Sequence, residues 1–137
     1  MSLIVDTSVA LTWIFADEGT DETEALLDRV RDDGGVVPAL WEYEVGNALL
    51  VAVRRGRLEQ PAARQALTLL RAVNLQVDRS PVDLTRVVGL AATHDLSVYD
   101  AAYLDLALSR GLPLATLDDR LARAATAVGV AVLPDEN

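Results

Sequence analysis

The chain has 137 residues, 51% hydrophobic and 24% charged, which suits one domain with its own core and excludes a disordered chain. Twelve basic residues face 21 acidic ones for a net charge of −9, which argues against a clamp on nucleic acid built from overall charge. Cysteine is absent, so disulfides, thiolate zinc sites and cysteine nucleophiles are excluded together.

The predicted elements run as follows. Leu3, Ile4 and Val5 form a short apolar strand, and Asp6-Thr7-Ser8 is a helix-start signature before a mostly apolar helix over 9–16. An amphipathic helix spans 20–33, with Ala25, Leu26, Leu27 and Val30 as its buried stripe, and Gly34-Gly35 stops it. A second strand at 36–38 leads into a helix over 40–55, with Leu40, Val45, Leu49 and Val53 at helical spacing and Gly56 at its end. Pro61 opens a helix over 61–73. A strand at 75–77 and helices over 82–94 and 97–110 follow, the last closed by Gly111. A strand at 114–117, a helix over 119–128 and a strand at 130–133 complete the chain.

Short strands alternating with helices predict an α/β domain over 1–137, three-layered, with a short, mainly parallel sheet covered on both faces. No stretch approaches the roughly 20 apolar residues that a bilayer requires. The residues before Asp6 carry no basic region, so no signal peptide is read and the cytoplasm is expected.

Charge is unevenly spread. Residues 17–33 hold eight acids against Arg29 and Arg31, net −6, while residues 54–71 hold five arginines against Glu59, net +4. All 12 basic residues are arginine.

In open parallel sheets, ligands bind beyond the carboxyl ends of the strands. Asp6 and Asp118 fall there, and Glu44 and Asp100 lie in the first turns of helices following such loops. Each has an ordinary structural reading: Asp6 and Asp118 as N-caps, Ser97-x-x-Asp100 as a capping box, Glu44 as a charge favoured by the helix dipole. Four carboxylates aimed at one end of a sheet would nonetheless raise one another's pKa and strain the fold unless a cation joins them. With no cysteine and one histidine, an all-oxygen set suits Mg²⁺ or Mn²⁺ rather than zinc, and such a centre serves phosphoryl chemistry. Neither a G-x-x-x-x-G-K-[ST] nor a G-x-G-x-x-G motif is present, and Ser8 breaks an Asp-x-Asp phosphoacceptor loop. The lone histidine, His94, reads as a helix-end residue.

Four blocks occur in order: Leu3-Ile4-Val5-Asp6-Thr7-Ser8; Trp41-Glu42-Tyr43-Glu44-Val45-Gly46-Asn47-Ala48-Leu49; Ser97-Val98-Tyr99-Asp100-Ala101-Ala102-Tyr103-Leu104; and Leu114-Ala115-Thr116-Leu117-Asp118-Asp119-Arg120-Leu121. Over essentially the whole chain this resembles a PIN-domain ribonuclease, and more narrowly the VapC toxins of toxin–antitoxin pairs. The resemblance implies that Asp6, Glu44, Asp100 and Asp118 are catalytic, metal-holding acids. It implies Ser8, Thr116 and Asn47 as supporting groups, with Asp119 an alternative to Asp118. It further implies Mg²⁺- or Mn²⁺-dependent endonucleolytic hydrolysis of RNA leaving a 5′-phosphate and a 3′-hydroxyl, a homodimer, and a VapB-type antitoxin.

Arg54, Arg55 and Arg57 are the arginines expected to follow an RNA backbone, with solvated helix faces as their other reading. Trp13, Ile14 and Phe15, with the 49–53 stretch, are candidates for a partner groove or for plain core. Two rival functions stay open: a PIN-like binding module without catalysis, and a metal-dependent phosphatase or DNA nuclease using the same acids.

Overall fold

The computed structural model describes residues 1–135. Five parallel strands form one sheet in the order β3-β2-β1-β4-β5. They are β1 (Leu3–Val5), β2 (Gly35–Pro38), β3 (Leu75–Asp78), β4 (Leu114–Ala115) and β5 (Val132–Leu133). Seven helices connect or flank them among the described residues: α1 (Thr7–Thr12), α2 (Asp21–Asp33), α3 (Leu40–Arg54), α4 (Gln60–Ala72), α5 (Leu84–His94), α6 (Val98–Arg110) and α7 (Asp119–Ala127).

Leu3, Ile4 and Val5 are wholly buried, as a central parallel strand covered on both faces requires. Each such side chain contributes about 1.5–3 kcal/mol of burial. The β1–β2–β3 connections step one way across the sheet, whereas β4 and β5 lie on the other side of β1. Right-handed crossovers therefore put α1–α4 on one face and α5–α7 on the other. The packing agrees, with α1 on α3 and α3 on α4, and separately α5 and α7 on α6. Helix α6 lies across β1, β2 and β4, its Ala101 and Ala107 small enough for close approach.

The point where the connections diverge lies between β1 and β4, which is where such sheets place their ligands. There the Asp6 N–H donates to the Ala115 carbonyl at 2.9 Å, so the ends of β1 and β4 lie side by side.

Gly34 has a positive φ of 87°, the backbone that ends α2. Gly35 matters for a different reason. A Cβ there would stand 2.7 Å from Leu75 Cδ2 and 3.2 Å from Val5 Cγ2, so any larger residue forces the ends of those side chains to shift.

Several expected bounds move. The first helix starts at Thr7 and ends at Thr12, and the chain turns through extended Phe15 into a 3-10 turn at Ala16–Glu18 because Phe15 enters the core. In α2, Thr23 takes an inward place within the Thr20 capping box and Ala25 faces solvent. Helix α5 begins at Leu84 because Asp83 is its cap, accepting from the Arg86 N–H. Strand β4 stops at Ala115 because side chains take over its hydrogen bonding: the Leu117 N–H donates to Ser8 Oγ and the Asp118 N–H to Thr116 Oγ1. Strand β5 begins at Val132, since the Val130 N–H is spent on Ala125 at the end of α7. Among the described residues no helix is long and apolar enough to cross a membrane.

Candidate active site

Asp6 follows β1 and is only 6% exposed. Its Oδ2 accepts from the Ser8 hydroxyl at 2.6 Å and from the Thr116 hydroxyl at 2.8 Å. Its side chain caps no helix, so the capping alternative fails here. Burial holds the Asp6 carboxyl above the ordinary aspartate value, although both hydroxyls pull it down, and the charge of Asp118 adds to the rise.

Glu44 projects from the second turn of α3, where Oε1 accepts from Tyr103 Oη at 2.6 Å and from Thr7 Oγ1 at 3.0 Å. The two hydroxyls lie 2.8 Å apart, closing a triangle that fixes one face of the carboxylate. Tyr103 is fully buried, and burial together with Glu44 drives its phenol well above the usual value, so it stays a neutral donor.

Ser97 is the cap of α6, accepting from the Asp100 N–H at 3.0 Å. The Asp100 carboxyl is half-buried and raised, first by burial and then by the charges of Asp118, Asp6 and Glu44. The charges of the other three acids therefore all reach Asp100. Asp118 caps α7, its Oδ1 accepting from the Leu121 N–H at 3.0 Å. Asp118 thus carries the structural role the sequence allowed while standing in the acidic group.

Among the described residues, no arginine or histidine pairs with any of the four acids. Unneutralised carboxylate oxygens are the donor type that hard divalent cations take. Among the described residues, no three acidic or histidine side chains stand, as placed, in a group that could hold a metal ion. One oxygen each of Asp6, Glu44 and Asp118 is instead engaged by hydroxyl or backbone donors.

The family description "PIN domain" matches residues 3–127. This chain belongs to the PIN-domain family. A relative called ribonuclease VapC3, from Pyrobaculum aerophilum, is 33% identical over 124 residues, covering 89% of this chain and 93% of its own. Another from the same organism, called exonuclease VapC9, is 36% identical over 92 residues, covering 66% of this chain and 68% of its own. The PIN fold is shared with the crystal structure of VapBC2 from Rickettsia felis bound to a DNA fragment from their promoter. That likeness has a TM-score of 0.69 at 11% identity and covers 96% of this chain and 97% of that one.

In this PIN domain Ser8 and Thr116 bond Asp6. Asn47, three residues after Glu44 on α3, is exposed, and among the described residues its side chain makes no hydrogen bond to the four acids. Asp119 is exposed on the first turn of α7, while Asp118 is half-buried and its charge raises both Asp6 and Asp100.

Arg57 is also committed elsewhere. It contacts Asp17 at 3.1 Å and Glu18 at 3.6 Å, and its guanidinium lies 4.0 Å over the Phe15 ring. Phe15, Leu49 and Ala52 belong to the core, Trp13, Ile14 and Val53 are half-buried against it, and Leu50 is 45% exposed.

Sequence reasoning missed Thr7 and Tyr103. Tyr103 follows Asp100 by three residues and so shares its helix face, which is the signal that was there to read.

Proposed function

We propose that this PIN domain is a VapC-type toxin, a metal-dependent endoribonuclease that hydrolyses RNA phosphodiester bonds and is held in check by a VapB-type antitoxin. What carries the reading is that Asp6, Glu44 and Asp118 all bear on the half-buried Asp100 near the β1–β4 divergence, with no basic partner for any of the four among the described residues. Names borne by its relatives support a VapC-type nuclease: one is called ribonuclease VapC3, another exonuclease VapC9, and the fold is shared with VapBC2 bound to a DNA fragment from their promoter.

In this reading Asp6, Glu44, Asp100 and Asp118 hold Mg²⁺ or Mn²⁺. The bound ion supplies Lewis-acid charge to the phosphate oxygens and the attacking water. Ser8 and Thr116 fix Asp6 through Oδ2, leaving Oδ1 clear of side-chain hydrogen bonds. Tyr103 and Thr7 do the same for Glu44 through Oε1, leaving Oε2 clear. In this reading Asp100, half-buried and with a raised carboxyl, accepts the proton of the attacking water. Exposed Leu84 and Val88, spaced by one turn on α5, offer an apolar stripe for a second copy in a homodimer.

The test is an assay of the purified, antitoxin-free chain on linear RNA, covalently circular RNA and single-stranded DNA. Cleavage of circular RNA supports the endonuclease. Trimming of linear RNA alone reassigns the chain to the exonuclease class, preferential DNA cleavage favours the DNA-nuclease alternative, and inertness toward every substrate leaves a binding module.

A further inference from the structure

The arginines that a substrate backbone meets are not those that crowd together in the sequence. Arg54 lies ten residues beyond Glu44 on one helix, about 15 Å along its axis. Arg57 is further neutralised by Asp17 and Glu18. Helix α7, by contrast, is capped by Asp118 itself, so Arg120 and Arg123 stand on its first two turns, within about 8 Å of axial rise from that carboxylate.

The concavities agree. A hollow of about 350 Å³ is lined by His94, Asp95, Arg120 and Arg123. One rim is the turn leading to Ser97 and Asp100, the other the helix that Asp118 caps. A second groove, of about 1130 Å³, runs from Thr116 and Leu117 past Asp119, and Arg123 lines it too. Arg123 makes no ion pair among the described residues. Arg120 touches Asp95 at 3.8 Å in a pair whose side chains are 63% and 95% exposed, an attraction worth little in water and readily exchanged for phosphate. The larger groove sets Glu22, Asp119 and Asp135 against Arg123 alone, whereas the hollow sets Arg120 and Arg123 against Asp95, so the backbone takes the hollow and the bases the groove beside half-exposed Leu117.

We propose that the α7 flank, Arg123 with Arg120 and His94, seats the RNA phosphates adjacent to the one cut at the acidic group. The proposal rests on the ribonuclease reading. It replaces the 54–57 arginines as the substrate track.

The experiment measures binding of a fluorescein-labelled single-stranded RNA oligonucleotide by anisotropy across a salt series, in an Asp100→Asn parent that does not cleave. Arg120→Ala/Arg123→Ala should weaken binding at least tenfold and reduce the log–log salt slope by about 1.4, two contacts at about 0.7 each on a single strand. Arg123→Lys alone should keep the slope. Both α7 variants are surface changes, and unchanged circular dichroism and melting confirm the fold. An unaltered slope in the α7 double variant, or a larger loss in Arg54→Ala/Arg55→Ala, overturns the proposal. An unmutated chain that neither binds nor cuts any RNA overturns the ribonuclease reading, and this proposal with it; RNA cleavage with an unaffected α7 variant overturns this proposal alone.

Discussion

Glu44 is held at one oxygen by two hydroxyls, and its fixed orientation depends on a side chain no solvent reaches. Tyr103→Phe removes the 2.6 Å bond to Glu44 and the 2.8 Å contact to Thr7 while keeping the ring that fills the core. Loss of a hydrogen bond to a carboxylate should cost about 1.5–3 kcal/mol in chemical denaturation. Cleavage rate or metal affinity should fall about 10–100-fold, as for groups that orient metal ligands. A Tyr103→Phe chain with full activity would show that the triangle is only packing. Asp118 separates its two duties in the same way. Asn is as good an N-cap as Asp, so Asp118→Asn should keep the melting temperature within about 2 °C yet lose cleavage, whereas Asp118→Ala should also lose about 1 kcal/mol of stability. At this scale the acids were legible because they sit at strand ends and in early helix turns, positions that sequence spacing marks. Thr7 and Tyr103 were not, since an apolar-looking run hides a phenol whose partner lies 59 residues away.

Elements were legible in number, type and order, and their ends much less so. Strand β4 ends where the hydroxyls of Ser8 and Thr116 take up backbone N–H groups, and α1 ends where Phe15 turns into the core. Both are tertiary facts that no local pattern carries. Gly35 shows the same limit. Its pairing with Gly34 reads as a helix stop, yet its own necessity comes from Leu75, which pairs with it on the adjacent strand. Gly35→Ala should destabilise the protein by about 1–3 kcal/mol through overpacking between β2 and β3, measured by urea unfolding. A neutral result would mean that Leu75 moves aside freely.

For the whole molecule, the net charge of −9 misleads unless it is placed. Six of the twelve arginines are engaged in ion pairs with acids among the described residues. The four site carboxylates have no such partner, and their metal-free form stores repulsion. Asp6 and Asp100 titrate above the ordinary 3.8 when folded, so the native state holds protons that the unfolded chain has released. Stability of the metal-free protein should therefore rise as pH falls from neutral through those raised values. Below 3.8 it should drop, because Asp78 and Asp33, held low by Arg110 and by the N-terminus, lose their partners there. Thermal melts between pH 7 and pH 3 test this sign, and Asp100→Asn should raise the neutral-pH melting temperature by about 2 °C, a modest gain because solvent reaches that side chain. A neutral-pH optimum without metal, unaltered in Asp100→Asn, would remove the repulsion from the account.

The central claim is that these carboxylates act by holding a cation, and cleavage of RNA by EDTA-stripped protein during titration with Mg²⁺ or Mn²⁺ tests it most directly. The account predicts no cleavage before addition, saturable recovery with either ion, and none in Asp6→Asn at any concentration. Undiminished cleavage by the stripped protein, with Asp6→Asn equally active, would contradict it.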